Sequence, residues 1–165
     1  VKAERKARAE TASEQADAAG LDEAFVLARA AVDSQDVPVG AVVLDRAGVV
    51  VGRGQNVREK LGDPTGHAEV VALREAAATL GTWRLTGCAL IATLEPCVMC
   101  AGAAMAARVD RILFAAWDPK AGACGSVWDL TRDPLATHPV PVVGGVRADE
   151  SAALLVDFFE GRRLG

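Results

Sequence analysis

His67-Ala68-Glu69 and Pro96-Cys97-Val98-Met99-Cys100 are the residues of this chain whose types and spacing can do chemistry. A catalytic zinc takes three protein ligands and keeps a fourth position open for water, and one histidine with two cysteines makes such a set. Glu69 is then left over. Zinc lowers the pKa of a bound water to about 7, and a carboxylate nearby takes that proton and returns it to a leaving group. The expectation is one Zn2+ per chain on His67, Cys97 and Cys100, with Glu69 as the catalytic proton carrier of a hydrolytic site.

The spacing says how such residues must be mounted. Residues two apart on an ideal helix point about 200° from each other, so His67 and Glu69 share a site only from the start of a helix. Asp63-Pro64-Thr65-Gly66 is a turn-rich lead, and Val70, Val71, Leu73, Ala77 and Leu80 continue with helical apolar periodicity. Cys97 and Cys100, three apart, fall on one helical face, and Pro96 is expected at the first helical position. Two helix N-termini then face the metal, where their partial positive charge favours thiolates and a carboxylate.

Other uses of these residue types stay open. A Cys-x-x-Cys also serves as a redox pair or as half of a structural zinc site. Cys88 begins an apolar run and reads as a buried small hydrophobe, whereas Cys124, in a Gly-rich loop, is the residue able to close the site as a fourth ligand.

Around the motifs the pattern alternates strands with helices. Asp22 to Gln35 reads as an amphipathic helix after a frayed N-terminal segment, residues 1–18, with residues 19–165 forming a single domain. Val39–Leu44 and Val49–Val51 form a hairpin, followed by a polar loop, 52–66, in which Gly52 and Gly54 bend the chain. Then come the His67 helix, a buried strand over 88–94, the cysteine helix over 96–107 and a strand over 111–115. A strand near 140–143 and a helix over about 149–163 complete the chain. That order predicts an α/β fold with a central mixed sheet of about five strands and the site at strand C-terminal ends.

With 165 residues, 51% of them hydrophobic, the chain has material for one sizeable core. No stretch approaches the roughly 20 apolar residues of a membrane span, and the first residues mix Ala with Lys, Arg and Glu, so a cytoplasmic protein is expected. Four cysteines, two of them spent on metal, leave no disulfide framework. The net charge of −4 is no nucleic-acid footprint. Local clusters at Lys2, Arg5, Lys6 and Arg8, at Arg53, Arg58 and Lys60, at Arg108, Arg111 and Lys120, and at Arg162 and Arg163 can still form a basic face.

Beyond the metal motif, five blocks resemble the bacterial tRNA-specific adenosine deaminases: Asp36-Val37-Pro38-Val39-Gly40-Ala41-Val42, Asn56, residues 63–69, residues 94–103 and Asp118-Pro119-Lys120-Ala121-Gly122-Ala123. The resemblance runs roughly from Leu21 to Arg163. His-x-Glu with Pro-Cys-x-x-Cys alone is shared with cytidine, guanine and riboflavin-pathway deaminases, so the flanking blocks select the subfamily. The resemblance implies a cytidine-deaminase-like three-layer α/β/α fold, a homodimer, and hydrolysis of the wobble adenosine in a tRNA anticodon stem-loop to inosine. By position it makes Asn56 the residue that reads the extruded base, and Asp118 and Lys120 part of the segment that meets neighbouring RNA. The base would leave the stack, an activated water would attack C6, and Glu69 would carry protons to the ring nitrogen and the departing ammonia. Trp117 departs from relatives with a polar residue there, and Arg162-Arg163-Leu164-Gly165 is shorter than the basic tail of some members. The alternative is a zinc deaminase of a free nucleobase or nucleoside of guanine or cytosine type.

Overall fold

The computed structural model describes residues 2–163, with side chains from 10 to 162. Helix α1 (Lys2–Ala31) leads into a hairpin of β1 (Gly40–Leu44) and β2 (Val50–Gln55). A one-turn helix α2 (Arg58–Leu61) and helix α3 (Ala68–Leu80) follow. Then β3 (Ala89–Leu94), α4 (Val98–Ala107) and β4 (Arg111–Ala116) form a strand–helix–strand unit. A long loop reaches the short β5 (Val142–Val143) and the last helix, α5 (Ala148–Arg163).

The five strands lie in the order β2-β1-β3-β4-β5. β1 is antiparallel to β2 and β3, while β3, β4 and β5 run parallel, so the sheet is mixed. Side-chain alternation then builds two cores. Ala41, Val43, Leu90, Ala92, Ile112 and Phe114 pack with Leu73 of α3 and Ala101 and Ala104 of α4. Val42, Leu44, Ile91, Leu113 and Ala115 face the other way, onto Leu21 and Phe25 of α1. Three layers result.

Four elements differ from the sequence pattern. Helix α1 starts well before Asp22, because the stretch to Ala19 is dominated by Ala, Glu, Lys and Arg without Gly or Pro. Asp17 on it pairs with Arg111 of β4 at 2.5 Å. Strand β2 continues through Gly52 and Gly54 and does not end there, with one irregularity in its pairing to β1 between Val43 and Leu44. A Cβ on Gly54 would sit 2.0 Å from the Ala68 carbonyl oxygen, and one on Gly52 would sit 2.2 Å from that of Ala72. These glycines let α3 lie directly on the sheet. Third, α2 was not anticipated. Its first amides are held by Asp36, whose carboxylate accepts from Glu59 N at 2.8 Å and Lys60 N at 3.2 Å. Finally, Pro96 precedes the cysteine helix and Cys97 is its N-cap. The basic cluster over residues 2–8 and the end of the tail, Leu164 and Gly165, lie outside the described side chains.

Candidate metal centre and substrate rim

Both motif segments enter helices from extended backbone. His67 is the N-cap of α3 (φ −80°, ψ 146°) and Cys97 that of α4 (φ −72°, ψ 176°). An N-cap side chain folds back over the third helical residue, which is why Cys97 and Cys100 meet. Their sulfurs lie 3.7 Å apart, and His67 Nδ1 lies 3.6 Å from Cys97 Sγ and 3.5 Å from Cys100 Sγ. Zinc bonds of about 2.3 Å to sulfur and about 2.05 Å to nitrogen at tetrahedral angles need edges of about 3.8 and about 3.6 Å. The donor triangle fits one zinc per chain. Among the described residues the group contains only these three donors, so Cys124 does not close it.

The donors polarise one another. The Cys100 thiol donates to Cys97 and, with His67 alongside, lowers the Cys97 pKa to about 4. The same pairing pushes Cys100 well up, and Cys97 holds the His67 imidazole above 6.5. A divalent cation replaces that shared proton. Glu69, in the first turn of α3, is 4% exposed. Burial raises it to about 7, against its own backbone amide and the His67 charge. A carboxyl so poised can accept and give up a proton near neutrality.

Asn56 lies between the hairpin and α3. Its Oδ1 accepts from the Ala68 amide at 2.9 Å, and its Nδ2 donates to the Val37 carbonyl at 3.0 Å. It thus fixes the peptide joining His67 to Glu69. Asp36 steadies the adjoining loop. Burial pushes its carboxyl up, but bonds from the Glu59 amide, the Ser34 hydroxyl and the Lys60 amide outweigh that and hold it below 3.8.

Asp118 and Lys120 follow the C-terminal end of β4. Asp118 Oδ1 accepts from Lys120 N at 2.9 Å and Ala121 N at 3.2 Å, forming a tight turn. That turn abuts the metal segment, because Gly122 bridges Cys97 and the Ala123 amide bonds the Pro96 carbonyl at 2.9 Å. Trp117 packs edge-on against Phe114, with ring centres 4.8 Å apart. A cavity of about 450 Å3 beside it is lined by Val37, Leu94, Trp117, Lys120, Leu155 and Phe159.

The cations divide into two kinds. Arg29, Arg53, Arg74, Arg111, Arg132 and Arg147 are engaged in ion pairs. Among the described residues Arg46, Arg58, Lys60, Arg108 and Lys120 are in none, while Arg84 lies over the Trp83 ring and Arg162 over the Phe158 ring. Arg58 shares a small polar cavity with Asn56 and Arg162. Sequence reasoning missed one residue of this region, Glu95, which lies directly before the Pro-Cys step.

Comparison with known proteins agrees with this geometry. Residues 14–116 match the cytidine and deoxycytidylate deaminase zinc-binding region. Fold and site together therefore place the chain in the class of proteins that carry this deaminase zinc-binding region. The tRNA-specific adenosine deaminase of Bacillus subtilis is 40% identical over 143 residues, covering 87% of this chain and 88% of that protein. A solved tRNA:A34 deaminase superposes with a TM-score of 0.80 at 40% identity, covering 84% of this chain and 99% of that one. A guanine deaminase from Nitrosomonas europaea matches with a TM-score of 0.72 at 28% identity, over 85% of this chain and 82% of its own. The chain belongs to the tRNA-specific adenosine deaminase family. It is also 54% identical over 141 residues, 86% of its length, to a tRNA(Ile)-lysidine synthase of Deinococcus radiodurans, spanning only 24% of that longer protein.

Proposed function

We propose that this chain hydrolyses the wobble adenosine of a tRNA anticodon loop to inosine. The three-donor triangle of His67, Cys97 and Cys100, with the buried Glu69 in the first turn of α3, supports hydrolytic deamination, and the observation that favours a tRNA adenosine over a free base is the 40% identity to a tRNA-specific adenosine deaminase over 87% of the chain. Zinc on these donors supplies a Lewis acid that activates water for attack at C6 of the base. Glu69 would accept one proton of the water as the C6–O bond forms and deliver it to the ring nitrogen next to C6, then move the proton of the new C6 hydroxyl to the amine, so that the C6–N bond breaks with loss of ammonia and the carbonyl forms. One carboxyl suffices because, buried beside the donor set, it can accept a proton in one step and give it up in the next. Asn56 holds the His67–Glu69 step in place and offers its remaining amide hydrogen to the extruded base. Asp118 and Lys120 meet the neighbouring nucleotides.

The unpaired Arg58, Lys60 and Lys120 support a phosphate-bearing substrate despite the acidic total charge. No described helix is long and apolar enough to cross a membrane, and a cytoplasmic site of action accords with a tRNA substrate. The working unit is a homodimer. An apolar groove of about 390 Å3, lined by Leu73, Ala77, Trp83, Ala103 and Ala106, is one surface that could take a second copy. The reading is tested by titrating a labelled anticodon stem-loop at rising salt. Affinity falls log-linearly with salt, and Lys120→Ala weakens binding while zinc content stays at one per chain. Salt-independent binding, or Lys120→Ala binding as tightly as wild type, contradicts it.

A further inference from the structure

Glu95 is a carboxylate buried to 1% exposure that the chemistry above does not use. Among the described residues no cation pairs with it. Its oxygens are filled by one loop instead: Oε2 accepts from Asp118 N at 2.9 Å and from the Ser126 hydroxyl, and Oε1 from Cys124 N and Ser126 N, both at 3.0 Å. Charge-assisted bonds of this kind are the strong ones, and together they close residues 118–126 around a single side chain. The fit leaves no slack, since a Cβ on Gly122 would lie 2.2 Å from Oε2.

The far side of this loop is tied to the metal segment through the Gly122–Cys97 bridge and the Ala123–Pro96 bond. Glu95 immediately precedes that segment. It therefore joins two things that must keep a set separation, the metal donors and the turn carrying Asp118 and Lys120. We propose that Glu95 is a positioning residue for the substrate rim: its carboxylate locks loop 118–126 against Pro96-Cys97 and so holds Asp118 and Lys120 in register with the metal centre. The proposal rests on the reading that Asp118 and Lys120 meet substrate.

Glu95→Gln keeps the shape but puts an NH2 group against N–H donors that need an acceptor. The Asp118 amide, or those of Cys124 and Ser126, then loses its partner. The zinc-loaded variant keeps one zinc per chain, and its kcat on an adenosine-containing anticodon stem-loop stays within about threefold of wild type because the donors and Glu69 are untouched. Its KM rises about tenfold, the scale of one lost charge-assisted bond. Lys120→Ala costs less in this background than in wild type, since Lys120 is no longer held in place. Hydrogen exchange quickens at residues 118, 124 and 126, with protection of α3 unchanged. An unchanged KM, strictly additive losses, or loss of zinc with kcat and KM falling together overturns the proposal. Should Glu95→Gln fail to fold, Ser126→Ala removes a single bond and must raise KM about two- to threefold; no change there refutes it equally. If wild type leaves the stem-loop unmodified, the substrate reading fails by itself, and local exchange at 118, 124 and 126 in Ser126→Ala then decides the role of Glu95.

Discussion

Gly54→Ala tests whether the fold really delivers the site. Gly54 pairs with Ala41 in the middle of the hairpin, and α3 crosses directly over it. The added methyl would lie 2.0 Å from the Ala68 carbonyl oxygen and 2.6 Å from the Ala72 amide nitrogen. Both obstacles are helix backbone and cannot swing aside as a side chain can. Reaching ordinary contact at 3.4 Å means lifting the first turn of α3 by about 1.4 Å, a strain that overpacked cores express as roughly 1–3 kcal/mol or more. That turn begins at His67 and carries Glu69, so the shift falls on a metal donor and on the proton carrier. Misplacement of about 1 Å can cost about 100-fold in rate. The assays are thermal unfolding, zinc per chain and turnover. Gly102→Ala is the control: it lies in α4 with nothing within 4 Å of its added methyl, and it stabilises by about 0.5–1 kcal/mol. A Gly54→Ala protein with wild-type melting temperature, full zinc and full activity would refute the claim that this glycine sets the seat of α3.

Three further outcomes follow from the same geometry. Glu69→Gln, nearly isosteric, retains the fold and one zinc per chain but loses about 10²–10⁴ in turnover; metal analysis with single-turnover kinetics checks it, and near-normal rates contradict it. Cys124→Ser leaves zinc content unchanged because its sulfur lies outside the donor group, whereas loss of metal would mean a closed structural site. Asp36 has a lowered folded pKa, so its stabilising effect is complete above 3.8 and fades as pH falls towards the folded value. Denaturant unfolding of wild type and Asp36→Asn should therefore differ most near neutrality and converge in acid; a gap independent of pH would show that the carboxylate's charge is not what matters.

The sequence reading succeeded where a motif or a local period carries the information, as for His67 with Cys97 and Cys100, and failed where only tertiary packing does. The Cys97–Cys100 spacing and the mounting of His67 and Glu69 at a helix start are local geometry, and the alternating apolar runs are enough to place β1, β3, β4, α3 and α4. Gly52 and Gly54 were misread because a glycine in a short apolar run is equally consistent with a bend and with close backbone approach. What decides between them is Ala68 and Ala72, on a helix that packs there only in three dimensions. Pro96 misled for a related reason: proline suits a first helical position, but here it lies one residue before the N-cap, which is Cys97. Glu95 was quoted as part of a family block and given no task. Its partners are backbone amides 23 to 31 residues away, and amides have no signature in a sequence. The assignment of Asn56 likewise omitted its bond to the Ala68 amide, the contact by which it steadies the His67–Glu69 step.

The central claim is the reaction itself, and product analysis reaches it most directly. The zinc-loaded protein is incubated with an anticodon stem-loop bearing adenosine at the wobble position, and in parallel with free guanine, cytosine and cytidine, and the nucleosides are resolved by mass. Inosine at the wobble position, absent when Glu69 is replaced and absent when zinc is chelated, is the predicted result. Efficient release of ammonia from a free base, with the stem-loop adenosine left intact, would contradict the account and make the chain a nucleobase deaminase built on the same metal centre.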